Sequence, residues 1–172
     1  MEKVVLSIML LGLTGLGFSQ ENNEEITAVE LAAVTVSAPN SDYLANVQDQ
    51  DTPEVVQQLQ NRAALLDVTA LLEYDKREKE TFETVFKATN GSLIAFYARN
   101  GQIVSSMENF KDVVLPLTIR KKVFEVNSGW KISRNKYLST YQDDRLIKKL
   151  YKIHLVQGAH TKTLIINLIE EE

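Results

Sequence analysis

Two Asn-Gly pairs, Asn90-Gly91 and Asn100-Gly101, constrain this chain more than any other feature, because each separates short runs of alternating apolar and polar residues. Such a pair readily takes the positive φ of a tight hairpin. Thr81 to Ala88 and Ser92 to Ala98 are therefore expected as paired strands, with a third starting at Ile103 and Val104. The later chain repeats the theme. Trp130 to Tyr141, Leu146 to Val156 and Thr161 to Leu168 read as strands, with Gln142-Asp143-Asp144-Arg145 as a turn. Tyr151, Ile153 and Leu155 share one face, matched by Leu164, Ile166 and Leu168.

Each run of strands follows a helical pattern. Pro53 suits a first helical turn, Thr52 is placed to cap it, and Val55, Val56, Leu59, Ala63 and Leu66 recur at helical spacing to about Leu65. Val68 to Tyr74 has the β-branched and aliphatic content of a strand, and Asp75 to Glu80 reads as a charged turn. Pro116 opens a second helix in which Leu117, Ile119, Val123, Phe124 and Val126 can share a broad apolar face, stopped by Gly129. The expected class is α+β, an antiparallel sheet with helices on one face. It reads as pseudo-repeats of helix and three strands, about 52–106 and 114–169, within one domain over 52–172. Trp130, beside Gly129 and on the face of Ile132, is expected in the core.

The opening MEKVVLSIMLLGLTGLGFSQ has a basic residue, an apolar run and small residues before Gln20, the pattern of a secretory signal peptide cut after Ser19. Its glycines and short length argue against a membrane span, which takes about 20 apolar residues. A periplasmic or secreted protein is expected. With no cysteine, thiol chemistry, thiolate metal sites and disulfides are excluded, and stability must come from packing and hydrogen bonds. Residues 20–51 read as an acidic linker holding a strand-like island, Ala28 to Ala38, able to pair with a sheet edge.

The segment FETVFKATNGSLIAFYARNGQIV, the Leu115-Pro116 helix start, SGWKISRNKYLSTY and KKLYKIHLVQG resemble the PepSY-like domains grouped with β-lactamase-inhibitor-like proteins, exported small proteins of Bacteroidetes-type bacteria. The resemblance implies a helix packed on an antiparallel sheet, repeated, and a binding role without a catalytic centre. It supplies no inhibitory residue to carry over.

The residues themselves offer little chemistry. GxSxG, GxxxxGK[ST], HExxH and GxGxxG are absent, and no cofactor is implied. A nicotinate-nucleotide adenylyltransferase would need an HxGH-like pair, whereas His154 and His160 are separated by Leu155 to Ala159. Both histidines read as surface residues. Asp143-Asp144 reads as a turn, because the oxygen spacing, glycine and distal Glu of an EF-hand loop are missing.

Charge is segregated along the chain despite a formal net charge of −4. Residues 20–110 hold 6 Lys or Arg against 15 Asp or Glu, and residues 111–169 hold 12 against 4. Such a dipole can steer a charged partner or align copies of the chain head to tail, so self-association is also open. Arg120 and Lys121 on the helix, and Lys131, Arg134 and Lys136 on the next strand, are the candidate partner-binding residues. Aromatic Tyr137 and Tyr141 interleave them, a pattern that also suits nucleic acid, which the export signal disfavours. The expected function is a non-catalytic binding protein of the cell envelope, an inhibitor or modulator of another envelope protein, with an unknown envelope protein or an acidic surface as its partner. The alternative is a small-ligand-binding or cell-wall-associated accessory protein, which would show a concave pocket with shifted titratable groups.

Overall fold

A computed structural model describes residues 39–72 and 81–169, leaving out the side chains of residues 71 and 72. The expected signal peptide, the island Ala28 to Ala38 and the turn Asp75 to Glu80 lie outside the described residues. Ten elements follow in order: α1 (Ser41–Val47), α2 (Glu54–Leu65), α3 (Thr69–Leu72), β1 (Thr81–Ala88), β2 (Gly91–Ala98), β3 (Ile103–Lys111), α4 (Leu117–Val126), β4 (Lys131–Gln142), β5 (Arg145–Gln157) and β6 (His160–Asn167). The strands form one sheet in the order β1-β2-β3-β4-β5-β6, every pair antiparallel. This is the expected α+β class. The order helix, three strands occurs twice, with α1 and α3 present only before the first three strands.

One face of the sheet carries the core. Phe86, Leu93, Ala95, Tyr97, Phe110, Tyr137, Tyr151, Ile153 and Leu155 meet Tyr43 and Val47 of α1, Val56, Leu59, Ala63 and Ala64 of α2, and Ile119 and Val123 of α4. Buried tyrosines anchor their hydroxyls in the helical layer, where Tyr97 donates to the Ala63 carbonyl at 2.9 Å and Tyr151 to the Asp51 carbonyl at 2.7 Å. Tyr43 and Tyr141 pack edge to face at 5.1 Å, as do Tyr137 and Tyr151 at 5.3 Å.

Several expectations change. Residues 41–51 are not linker: α1 buries Tyr43 and Val47, and Asn40 ties the chain to the β2–β3 turn by donating to the Gly101 carbonyl and accepting from the Ile103 amide. Residues 69–72 are helical rather than strand. Asp67 accepts bonds from the Thr69 amide and hydroxyl, which starts a helical turn that aliphatic content alone does not reveal. Thr52 does not cap α2; its hydroxyl instead donates to Val47 and Asp49 and accepts from Asp49 N–H and Lys149. On α4 only Ile119 and Val123 are buried, while Leu117, Phe124 and Val126 are exposed. Trp130 is half-buried at the rim of the core, with the Lys162 ammonium 4.3 Å from its ring centroid.

The two Asn-Gly pairs work by different means. Gly101 does take positive φ, at 84°. Gly91 does not; it is the first residue of β2, where an added Cβ would lie 2.5 Å from the Asn109 carbonyl oxygen and 2.7 Å from Phe110 Cα. Those are backbone atoms that cannot swing away, so Gly91→Ala is expected to destabilise the domain by about 2 kcal/mol in chemical denaturation, within the range for overpacking. An unchanged midpoint would place the β2–β3 approach elsewhere.

A row of charge and polarity crosses the covered face. Glu108 of β3 pairs in register with Ser139 of β4, and Ser139 with Lys149 of β5. Glu108 is 2% exposed and Lys149 0%. Lys149 Nζ lies 2.8 Å from Asp49 and donates to Thr52 Oγ1 at 2.7 Å and the Val47 carbonyl at 3.0 Å, so one ammonium fastens the α1–α2 connection to the sheet. Gln60 of α2 donates to Glu108 Oε1 at 2.7 Å, and the Tyr43 hydroxyl lies 3.4 Å from the same oxygen. Among the described residues, the buried atoms Gln60 Oε1 and Glu108 Oε2 have no hydrogen-bond partner.

Candidate functional site

Among the described residues, the helices leave the other face of the sheet uncovered. Alternation along the strands places Val85, Ile94, Phe96, Met107, Leu138, Leu150 and Ile165 there. Val85 is 44% exposed, Met107 45% and Ile165 61%. Around this apolar band stand Lys87, Lys111, Lys131, Arg134, Lys136, Lys148 and Lys152, while acid among the strand residues of that face occurs at Glu83.

Register concentrates the charge. Lys111, Lys136 and Lys152 are direct neighbours across β3, β4 and β5. Like charges directly opposite on adjacent strands repel and destabilise the sheet by a few tenths of a kcal/mol to about 1 kcal/mol. One row along, Arg134 lies opposite His154, which lies opposite Thr163.

The five residues expected from sequence therefore divide. Lys131, Arg134 and Lys136 stand on the open face, while Arg120 and Lys121 are exposed on α4, whose Ile119 and Val123 join the core on the other face. These residues do not form one surface, because α4 packs Ile119 and Val123 into the core on the covered face of the sheet. Lys111 and Lys152 complete the row and were not among the expected residues. Each falls within a run of alternating residues, but register across strands, which sequence alone leaves open, makes them neighbours of Lys136.

Concave features also occur on the helical side. A cleft of about 630 Å³ lies between the start of α2 and residues 112–117, where Gln57, Gln58, Glu54 and Asp112 accompany Val55 and Pro116. It presents acids and amides, not the expected basic residues. A second, of about 490 Å³, is lined by Asp42, Asp143, Asp144, Tyr43 and Tyr141. Burial pushes the Tyr141 hydroxyl up to about 12, reinforced by its hydrogen bond to Asp144, so this phenol is a poorer acid than usual. Asp143 and Asp144 themselves form the β4–β5 turn with φ of 49° and 60°, as a two-residue hairpin of mirror-image type needs.

Among the described residues no group of three or more His, Asp or Glu could hold a metal ion, and no helix is long and apolar enough to cross a membrane. No protein-family model, no curated protein and no solved structure matches the chain.

Proposed function

We propose that this chain is an exported, non-catalytic binding protein of the cell envelope that holds an acidic protein partner on the open face of its sheet and so inhibits or modulates that partner. The lysine row carries the reading. Lys111, Lys136 and Lys152 repel one another in the free protein, and a partner's carboxylates placed among them would relieve that cost. The adjoining apolar band of Phe96, Met107 and Leu138 offers an apolar centre inside a charged rim, the arrangement of a protein interface. The leader-like first residues support export, and the resemblance to PepSY-like, β-lactamase-inhibitor-like domains supports binding over catalysis.

Lys136→Glu tests this with opposite signs in two measurements. In the free protein the new carboxylate would sit between Lys111 and Lys152, so thermal stability should rise by a few tenths of a kcal/mol to about 1 kcal/mol. Capture of an acidic protein from envelope extract should fall sharply, and wild-type capture should weaken with salt because the attraction is screened beyond about 8 Å. Arg120→Glu with Lys121→Glu, on the other side, should leave capture intact. Capture indifferent to Lys136→Glu and to salt would sink the proposal. Concentration-dependent self-association lost in Lys136→Glu would make the partner a second copy instead.

A further inference from the structure

We infer that the open face contains a discrete site for a tetrahedral oxyanion, a sulfate or phosphate group, in the recess where the β4 bulge meets β5 and β6. The inference deepens the reading of the open face as the binding surface, by assigning the chemistry of one group that the surface takes.

The recess begins with an irregularity in pairing. Ile132 pairs with Leu155 and Arg134 with His154, so Ser133 is an extra residue in β4. A bulge of this kind bends the strand and re-aims its side chains. Ser133 Oγ is held by donating to the His154 carbonyl at 3.1 Å. The result is a hollow of about 470 Å³ whose lining includes Ser133, Arg134, His154, Thr161 and Thr163.

These groups suit an anion. The Arg134 side chain has no hydrogen bond or ion pair among the described residues, so its planar fork of donors is unspent. His154 Nδ1 lies 3.0 Å from Thr163 Oγ1, which fixes the ring and leaves Nε2 without a hydrogen-bond partner among the described residues. Asp and Glu are absent from the lining residues, and Lys136 and Lys152 stand in the next row of the sheet. Lys162 lines the recess too, but its ammonium is engaged over the Trp130 ring. The Arg134 guanidinium, the second ring nitrogen of His154 and the Thr161 hydroxyl, beside two more ammonium groups, supply more donors and more positive charge than one carboxylate can use. A tetrahedral group with several oxygens can use them.

The test is a titration of the full chain, without any protein partner, with inorganic sulfate, inorganic phosphate and acetate, followed by NMR at constant ionic strength. Sulfate and phosphate should shift the amides of Ser133, Arg134, His154 and Thr163 and the His154 ring saturably, with acetate clearly weaker. Arg134→Gln should lower the affinity about tenfold or more, as expected for losing charge-assisted hydrogen bonds. Lys87→Gln, on the same face but four strands away at ~4.8 Å each, should change it less than about twofold. Shifts spread equally around Lys87, Lys111 and Lys148, or an affinity unmoved by Arg134→Gln, would overturn the site. Acetate binding as well as sulfate would overturn the ligand class. If sulfate shifts nothing while protein capture still depends on Lys136, the site fails and the binding face stands. Localised sulfate shifts with capture indifferent to Lys136 would reverse that outcome.

Discussion

Asp49→Asn is expected to cost about 3 kcal/mol of stability, and the double variant Asp49→Asn with Lys149→Met to recover most of that loss. Lys149 is fully buried, and Asp49 is its counterion at 2.8 Å. Burial by itself pushes the Asp49 carboxyl up, but the hydrogen bond and charge of Lys149, with bonds from Thr52 and the Asp51 amide, outweigh it and hold the group below its ordinary value. Removing one partner of such a pair leaves an uncompensated buried charge, typically at about 3 to 5 kcal/mol. The lower end applies because the Asp49 side chain is 46% exposed and its charge is partly screened by water. The double variant lacks the stranded ammonium, and a methionine of similar length fills the slot against the α1–α2 connection. Denaturant unfolding of the single and double variants decides the matter. A double variant less stable than Asp49→Asn would mean that the bonds from Lys149 to Val47 and Thr52, not the charge balance, hold that connection.

The same pair explains much of what the sequence concealed. Strands with apolar inward positions were legible: Leu93, Ala95 and Tyr97 in β2, or Tyr151, Ile153 and Leu155 in β5, alternate as a half-buried sheet requires. In β3 the inward residues include Ser106 and Glu108, so nothing in the pattern extended the strand beyond Val104, although it runs to Lys111. Lys149 reads as one of several lysines in a basic strand; only the helical layer above it reveals that it is buried. Likewise α1 looks like linker because Ser41, Asp42, Asn46 and Gln48 surround the two residues it buries. The candidate binding face was half legible for a related reason. Alternation puts Arg134 and Lys136 on the solvent side of β4, but it does not say that Lys111, Lys152 and His154 are their cross-strand neighbours, nor that Arg120 and Lys121 lie across the core from them.

Glu108 makes the second large prediction, a loss of stability with rising pH that Glu108→Gln abolishes. Burial pushes this carboxyl from an ordinary 4.5 up to about 7, against the opposing effects of the Gln60 hydrogen bond, the Lys149 charge, Ser139 and Tyr43. The raised value means that between those two pH values the folded chain keeps a proton that the unfolded chain has released. The stability associated with that proton is fully present below about 4.5 and is lost as pH climbs through about 7. A displacement of this size corresponds to about 3 kcal/mol between pH ~4.5 and pH ~8. Glutamine preserves the shape and the acceptor for Gln60 Nε2, and its amide nitrogen replaces Glu108 Oε2, which has no hydrogen-bond partner among the described residues. Glu108→Gln should therefore match the wild type near pH 5 and exceed it by about 2 to 3 kcal/mol near pH 8, the wild-type curve falling relative to the variant's. Other groups titrate in both proteins, so the difference between the two curves isolates Glu108. Parallel curves across that interval would mean that Glu108 ionises as easily inside the sheet as outside it, with Lys149, two strands away in the same row, offsetting its burial in full.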